Sequence, residues 1–371
     1  MRAGFAVSSV DAYADLDQAS AARCVSLPRD VGKPWHPARA ARVMASERVD
    51  AVVYTSNVEN HPRAVAALSK GRALWGNAPD TLRRARDPEI VRDVFRAADI
   101  PALDTFVRAP DAHVHAAGLR GPAGDGWILK PIRSGGGQRV RRWRGGRVPR
   151  TQYAQPFVEG WPGSVVFVAA GGRAVALALT RQIVGDPAFG ADGFRYCGSL
   201  LCAAGRGDAV WVEQANRLAD VAARAFGLVG AGGVDFIAGR DVVHPIEVNP
   251  RWTASLELVE RARGVSVFGL HANACRHAAL PASDELGFAA AAVHGKAIVF
   301  ARHDVTVGDT RPWLQDDSVR DVPHPGARIA AGQPVCTVFA ARADEEACHA
   351  ALVERAHLVY VQLTQWSQEA A

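Results

Sequence analysis

In its first part the chain alternates short apolar runs with helical patterns, the mark of βα units. Residues 5–10 and 51–55 are predicted strands, and 62–70 and 80–98 predicted helices. Gly76-Asn77-Ala78-Pro79 carries turn chemistry, with Pro79 or Asp80 opening the next helix, so a boundary falls near Arg86-Asp87-Pro88. Beyond it the pattern changes. Predicted strands at 127–131, 152–158, 164–170, 174–180, 230–237 and 244–248 enclose one helix at 211–226, which suggests an α+β arrangement rich in antiparallel sheet. From residue 294 come short strands at 296–301 and 334–339, a turn at His324-Pro325-Gly326 and a final helix from Ala343. The expected class is α/β and α+β in three parts: a Rossmann-like unit at 1–85, a central unit at 86–293 and a small β-rich lobe at 294–371.

Composition narrows the function classes. Hydrophobic residues make up 49% of 371, enough for a real core, so a disordered or collagen-like chain is excluded. The 43 Lys and Arg exceed the 38 Asp and Glu by five, the charges read as well mixed, and no basic tract singles out nucleic acid. Only Lys33, Lys70, Lys130 and Lys296 are lysines. Against that arginine-rich background each lysine invites inspection. Cys24, Cys197, Cys202, Cys275, Cys336 and Cys348 have no metal-ligand spacing and read as reduced thiols. No signal-peptide pattern opens the chain and no apolar run approaches the ~18 residues of a membrane span. A soluble, cytoplasmic protein without a membrane or nucleic-acid partner is expected.

The strongest chemical signal is Asp235, Glu247 and Asn249, in GGVDF and HPIEVNPR. Glu247 and Asn249 are two apart on a strand and face the same side, and Asp235 fits a neighbouring strand after a turn at Gly239-Arg240. Three oxygen ligands converging from paired strands make a hard-cation site, with Mg²⁺ and bound phosphates its usual occupants. A surface hairpin of solvated acids is the plainer reading, set against flanking Val, Phe, Ile and Pro. Second is Lys130-Pro131-Ile132-Arg133-Ser134-Gly135-Gly136-Gly137. A strand-end Lys can neutralise phosphate and a glycine run lets backbone N–H groups approach it, although a glycine triplet alone is more often a hairpin loop. A third segment, 189–200 (FGADGFRYCGSL) with Thr180-Arg181-Gln182, is a candidate acceptor-substrate loop, with Tyr196 available for stacking or hydrogen bonding. An ordinary excursion with a buried aromatic is the alternative. Cys197 reads as a buried bystander, Lys296 as structural and His324-Pro325-Gly326 as a turn.

Together with Gln155-Pro156-Phe157-Val158-Glu159-Gly160, these signals resemble, in their order from about Trp75 to Thr253, the ATP-grasp superfamily. The resemblance implies an ATP-grasp fold, with two α+β lobes enclosing ATP and a flap subdomain at about 105–160. It puts Lys130 on the nucleotide phosphates and Ser134, Gly135, Gly136 and Gly137 in the flap. Gln155, Phe157 and Val158 would form the adenine hinge, and Ser164 lies near the usual ribose contact. Asp235, Glu247 and Asn249 match the metal ligands, for Mg²⁺ or Mn²⁺. Arg251 and Arg181, with Lys130, would steady the γ-phosphate and the acyl phosphate formed from it. Where relatives carry an Asp-Lys pair this chain reads Arg86-Asp87-Pro88, and Arg86 stands in for the Lys. It also opens one βα unit later than relatives do, which suggests an abbreviated first unit or a start set too far downstream.

What the resemblance implies is ATP-driven joining of a small-molecule carboxylate to an amine. LWGNAPDTLRRARDP, LTRQIVGD, FRYCGSL and IEVNPRWTASLEL look like a branch of glutamate ligases in methanofuran, methylofuran and tetrahydromethanopterin-type cofactor synthesis. The acceptor would be tyrosine- or tyramine-like, or a coenzyme amine, contacted by Gln182, Tyr196 and Ser255. A homodimer is compatible with the resemblance. Two other readings stand beside it. The tail HPGARIAAGQPVCTVFA resembles the last lobe of biotin carboxylases and purine enzymes that work through carboxyphosphate. A non-catalytic ATP-binding partner protein is the third.

Overall fold

The computed structural model describes residues 3–19, 22–55, 57–107, 126–201, 209–240, 242–282, 286 and 292–369. The first part holds β1 (Ser8–Asp11), α1 (Leu16–Ala19), β2 (Arg23–Ser26), α2 (Leu27–Val31), α3 (Pro37–Met44), β3 (Ala51–Val52), α4 (Pro62–Leu68) and β4 (Ala73–Leu74). β1 runs parallel to β2, and β3 parallel to β4, as βα units require. β2 and α3, like α1, α2 and β4, have no counterpart in the sequence reading.

The helix expected over 80–98 is two helices, α5 (Pro79–Ala85) and α6 (Pro88–Ala97). Local chemistry makes the break. Asp87 has extended backbone, its carboxylate accepts from the N–H groups of Glu89 and Ile90, and Pro88 supplies the first helical residue. A proline also disfavours helical geometry at the residue before it. Arg86, left between the two helices, turns inward.

Next comes a small antiparallel sheet with β5 (Trp127–Pro131) between β6 (Arg141–Trp143) and β7 (Gln152–Pro156). One face packs Trp127, Leu129, Trp143, Val148 and Ala154. The other carries Ile128 and Lys130, opposite Gln155 and Tyr153.

The body is an eight-stranded antiparallel sheet. Its chain order is β8 (Trp161–Ala170), β9 (Arg173–Val184), β10 (Tyr196–Leu201), α7 (Ala209–Phe226), β11 (Gly230–Ala238), β12 (Val243–Asn249), α8 (Leu256–Arg263) and α9 (Val267–His277). After these come β13 (Val293–Phe300), β14 (Val305–Thr306), β15 (Val319–Arg320), β16 (Arg328–Ile329), β17 (Pro334–Arg342) and α10 (Glu345–Glu369). The spatial order is β12-β11-β8-β9-β10-β13-β17-β15. Among the described residues, the last segment therefore builds no sheet of its own apart from the β14–β16 pair. β13 pairs with β10, Gly198 opposite Ala297, and the tail extends the central sheet.

Both faces are covered. On one, Val165, Phe167, Val234 and Val248 pack with α6 and α7, and Ile183, Cys197, Ala297 and Val299 pack with α10. On the other, Val166, Val168, Leu201 and Ala231 pack with α8 and α9. Central β8 reads as an unbroken apolar run because each side of it is buried. Cys197 is a buried thiol raised to about 11 by burial, as a bystander role requires. Cys202 lies outside the described residues. No helix among the described residues is long and apolar enough to cross a membrane.

One buried histidine ties α9 to the sheet and to the first part of the chain. His271 Nδ1 accepts from the Ala231 N–H at 2.8 Å and Nε2 faces the Trp75 carbonyl at 3.3 Å. Only the neutral Nε2–H tautomer satisfies both contacts. Gly230 is required beside it, since its φ is +81° and a Cβ there would press on the imidazole. Burial pulls the His271 pKa down to about 4. The unfolded chain binds this proton below about pH 6.5 and the folded one does not, so stability is full above that pH and falls toward pH 4. We predict that wild type loses about 2 kcal/mol more unfolding free energy than His271→Gln between about pH 7 and 5, measured by urea titration. Equal pH slopes in the two proteins would remove His271 from this role.

Candidate functional site

β11 and β12 pair with Asp235 opposite Glu247, and Asp235 is also opposite Ser164 on β8, itself opposite Thr180 on β9. This row lies on the α8/α9 face, past the end of the helices. Directly paired residues sit about 5 Å apart, where two charges at an effective dielectric of about 20 repel by about 3 kcal/mol. Burial and Glu247 accordingly push the Asp235 carboxyl up to about 6. Glu247 is held below its ordinary range: burial works against this, but Arg86, Lys130 and Arg251 outweigh it.

Those three cations come from three parts of the chain. Arg86 pairs with Glu247 Oε1 at 2.9 Å and donates to the carbonyls of Val248 (2.9 Å) and Ser134 (3.0 Å) and to Asn60 Oδ1 (3.1 Å). Lys130 Nζ donates to Gln155 Oε1 at 2.8 Å. Burial draws its pKa down to about 8, with Glu247 and Asp235 opposing. Arg251 donates through Nε to Glu59 Oε1 at 2.6 Å, through Nη1 to the Trp252 carbonyl at 3.0 Å and through Nη2 to Asn249 Oδ1 at 3.2 Å.

Asn249 Nδ2 donates to Asp235 Oδ2 at 3.0 Å. The carboxamide thus bridges one acid and Arg251. Ser164 Oγ is buried beside Asp235, whose charged form it favours, and Thr253 Oγ1 is buried near this row with no hydrogen-bond partner among the described residues. No group of three or more His, Cys, Asp and Glu suited to a metal occurs among the described residues. The donors here are two carboxylates, one carboxamide and the Ser164 hydroxyl beside them. An all-oxygen set of this kind fits Mg²⁺ or Mn²⁺ rather than a soft metal.

The glycine run folds over the row. Ser134 offers its carbonyl to Arg86 and Asn60, and Gly135 lies beside Arg251. The Gly136 carbonyl accepts from the Tyr196 N–H at 3.0 Å. Gly137, at φ +68°, approaches the Phe194 carbonyl so closely that a Cβ would overlap it. In the hinge stretch, Gln155 is buried and bonded to Lys130 and Thr105. The Phe157 N–H goes to the Gly126 carbonyl at 2.9 Å, which commits one of the backbone groups expected to meet a base. The Phe157 ring lies under the Arg142 guanidinium at 3.5 Å. Val158 follows it beyond the end of β7.

Gln182, Tyr196 and Ser255 are brought to the same face as the acids. The Tyr196 hydroxyl meets Ser199 Oγ at 2.9 Å, Ser199 meets Ser255 Oγ at 3.2 Å, and Thr180 Oγ1 reaches Ser255 at 3.4 Å. Lys296 adjoins this hydroxyl chain and is bound by Glu257 at 2.7 Å. Arg181 is different. Strand alternation turns it to the opposite face, where it is exposed and pairs with Glu345 at the start of α10 at 3.2 Å. The structure therefore does not place Arg181 with Lys130 and Arg251, and the role expected for it is corrected.

Glu59 and Asn60 escaped the sequence reading. They lie just before α4, fully and nearly fully buried. Their neighbours Thr55-Ser56-Asn57-Val58 mark them as turn residues, and no spacing rule joins residue 59 to residue 251.

Residues 102–255 match the family model of the ATP-grasp domain. No curated protein matches the chain. Among solved structures, pyruvate carboxylase of Rhizobium etli superimposes with TM-score 0.68 at 16% identity, covering 94% of this chain. The chain spans only 34% of that protein's length. N5-carboxyaminoimidazole ribonucleotide synthetase of Thermus thermophilus gives 0.64 at 18% identity, covering 97% of this chain and 92% of its own. L-amino acid ligase of Bacillus licheniformis gives 0.60 at 16%, covering 89% and 85%. Identities this low report a shared fold.

The Glu59–Arg251 pair is buried on both sides, with side-chain exposures of 0% and 12%. Removing one member of such a pair strands the other. Glu59→Ala should lower the unfolding free energy by about 3 kcal/mol and Glu59→Gln by less than half of that, since Gln still accepts from Nε. Chemical denaturation decides between them; indistinguishable variants would detach Glu59 from Arg251.

Proposed function

We propose, from the ATP-grasp domain model that residues 102–255 match and the fold shared with the solved ligase and synthetase, an ATP-dependent carboxylate–amine ligase that works through an acyl phosphate. The observation that carries this reading is the convergence of Arg86, Lys130 and Arg251 on Asp235, Glu247 and Asn249 under a docked glycine flap. Carboxylates acylate poorly until an oxygen is phosphorylated. Joining a carboxylate to a triphosphate brings many negative charges together, which calls for preorganised cations and a dry site.

Each residue has a task in this scheme. Asp235, Glu247 and Asn249 would hold Mg²⁺, which when bound draws charge from the phosphates. Lys130, at the end of β5, and Arg251, held by Glu59, would hold phosphate oxygens as the carboxylate attacks and ADP leaves. Arg86 fixes Glu247 and the flap at Ser134, and so keeps the acids and the lid in register. Ser134 to Gly137 would exclude water from the acyl phosphate. Gln155, Phe157 and Val158 would border the base and Ser164 the sugar. The amine then displaces phosphate at the face lined by Gln182, Tyr196 and Ser255. No nucleophilic side chain is needed, in keeping with the buried Cys197.

Our narrower reading adds L-glutamate to a tyrosine- or tyramine-like amine, or to a coenzyme amine, in methylofuran or tetrahydromethanopterin-type cofactor synthesis. Its support is the sequence likeness around FRYCGSL and NPRWTASLEL. A second reading is carboxylation through carboxyphosphate, supported by the fold shared with pyruvate carboxylase and the ribonucleotide synthetase over nearly the whole chain.

A coupled ADP-release assay with Mg-ATP, L-glutamate and a panel of amines tests both. An amide product with stoichiometric ADP supports the ligase, whereas bicarbonate dependence without any amine dependence moves the assignment to a carboxylase. Glu247→Gln should reduce turnover by at least about a hundredfold while sparing the fold, and Lys130→Ala should weaken ATP binding at least about tenfold. Retained turnover in the first, or unchanged ATP affinity in the second, would reject that residue's role.

A further inference from the structure

The charges are less well mixed than the composition suggests. Residues 126–158 hold eight of the 43 Lys and Arg and none of the 38 Asp and Glu. Everywhere else, 35 cations face 38 acids, so the whole positive excess sits on the flap sheet. Lys130 points inward, to Gln155 and the acids. Arg133, Arg139, Arg141, Arg142, Arg144, Arg147 and Arg150 are all exposed. Except for Arg142, which covers Phe157, none of their side chains makes an ion pair or hydrogen bond among the described residues.

Natural surfaces intersperse signs, because a block of like charge repels itself and destabilises the segment that carries it. A lid of this composition is relieved by an anion with several charges in a row. Its place limits what that anion is. The same flap touches the Tyr196 loop through Gly136 and carries Arg142 over the hinge, so whatever it holds lies at the mouth of the site. A single-strand nucleic-acid surface would interleave exposed aromatics with its arginines. Here Trp143, the aromatic of β6, is 6% exposed and faces the core.

We propose that the exposed arginines of the flap, on β6 and the segments either side of it, bind an oligoanionic stretch of the acceptor substrate, a run of carboxylates or phosphates beyond the reacting group. The inference rests on the ATP-grasp reading for what lies beneath the flap, and it extends that reading to the class of molecule held outside. Under that reading Lys130 and Arg251 would meet the phosphates of ATP from inside, which leaves the exposed arginines for a second set of charges.

The test uses the full chain and two probes of similar charge, fluorescein-labelled poly-L-glutamate of about ten residues and inorganic polyphosphate, read by fluorescence anisotropy and by competition. The variant is Arg139→Gln, Arg141→Gln, Arg144→Gln and Arg147→Gln combined, which avoids Lys130, Arg142 and the glycine run. Wild type should bind at least one probe, and binding should weaken more than about tenfold as NaCl rises from about 50 to about 200 mM. The combined variant should weaken at least about tenfold at low salt with its affinity for Mg-AMPPNP unchanged. Tighter binding of polyglutamate identifies carboxylates as the charge source, and tighter binding of polyphosphate identifies phosphates. Binding of neither probe by wild type overturns the proposal, as does equal binding by the variant. So does a single-stranded oligonucleotide of equal charge that binds more tightly than both. Failure of wild type to bind Mg-AMPPNP would instead reject the ATP reading, whatever the probes do.

Discussion

Antiparallel pairing of β11 with β12 sets Asp235 directly against Glu247, and most of the site is a response to that contact. Two carboxylates held side by side away from water repel each other, and neither can escape while the strands stay in register. The fold answers with cations drawn from elsewhere in sequence. Arg86 comes from the break between α5 and α6, Lys130 from the end of β5, and Arg251 from just beyond β12. Each is then secured by its own partners, which is why Asn60, Gln155 and Glu59 matter although none adjoins the acids in the chain.

The same arrangement couples the parts of the molecule. Arg86 touches Asn60 in the first part of the chain, Ser134 in the glycine flap and Glu247 in the central sheet. A shift of the flap is therefore felt at the acids, and a shift of the first part at both. On the central sheet, alternation separates duties. One face puts Ile183, Ala297 and Val299 under α10, and the other continues the row of acids into the hydroxyls of Thr180, Ser199 and Ser255. Arg181 falls on the wrong side of that division by a single residue, which sends its guanidinium to Glu345.

Charge is organised on two scales. Inside, cations and acids nearly balance within a few ångströms, as buried ions must. Outside, the flap keeps an unbalanced row of arginines while the remainder of the chain is slightly acidic. That imbalance gives the flap sheet a positive field of its own.

Local pattern was enough to find β5, whose bounds agree with expectation, and to locate most of the strands of the central sheet within a few residues. It also paired Asp235 with Glu247 and Asn249, since strand alternation and a short turn are properties of neighbouring residues. Lys130 and the glycine run were legible for the same reason. The helix break at Asp87 was written in an N-cap and a proline, although the apolar period ran through it. What the chain could not disclose were meetings between distant segments: Glu59 with Arg251, Asn60 with Arg86, the tail joining the central sheet through β13. These depend on which faces come together once the sheets pack, and no periodicity along one strand records its partner. Sequence determined which residues share a face; only the tertiary structure decided which faces meet, because burial of the two carboxylates is settled by every segment that closes around them.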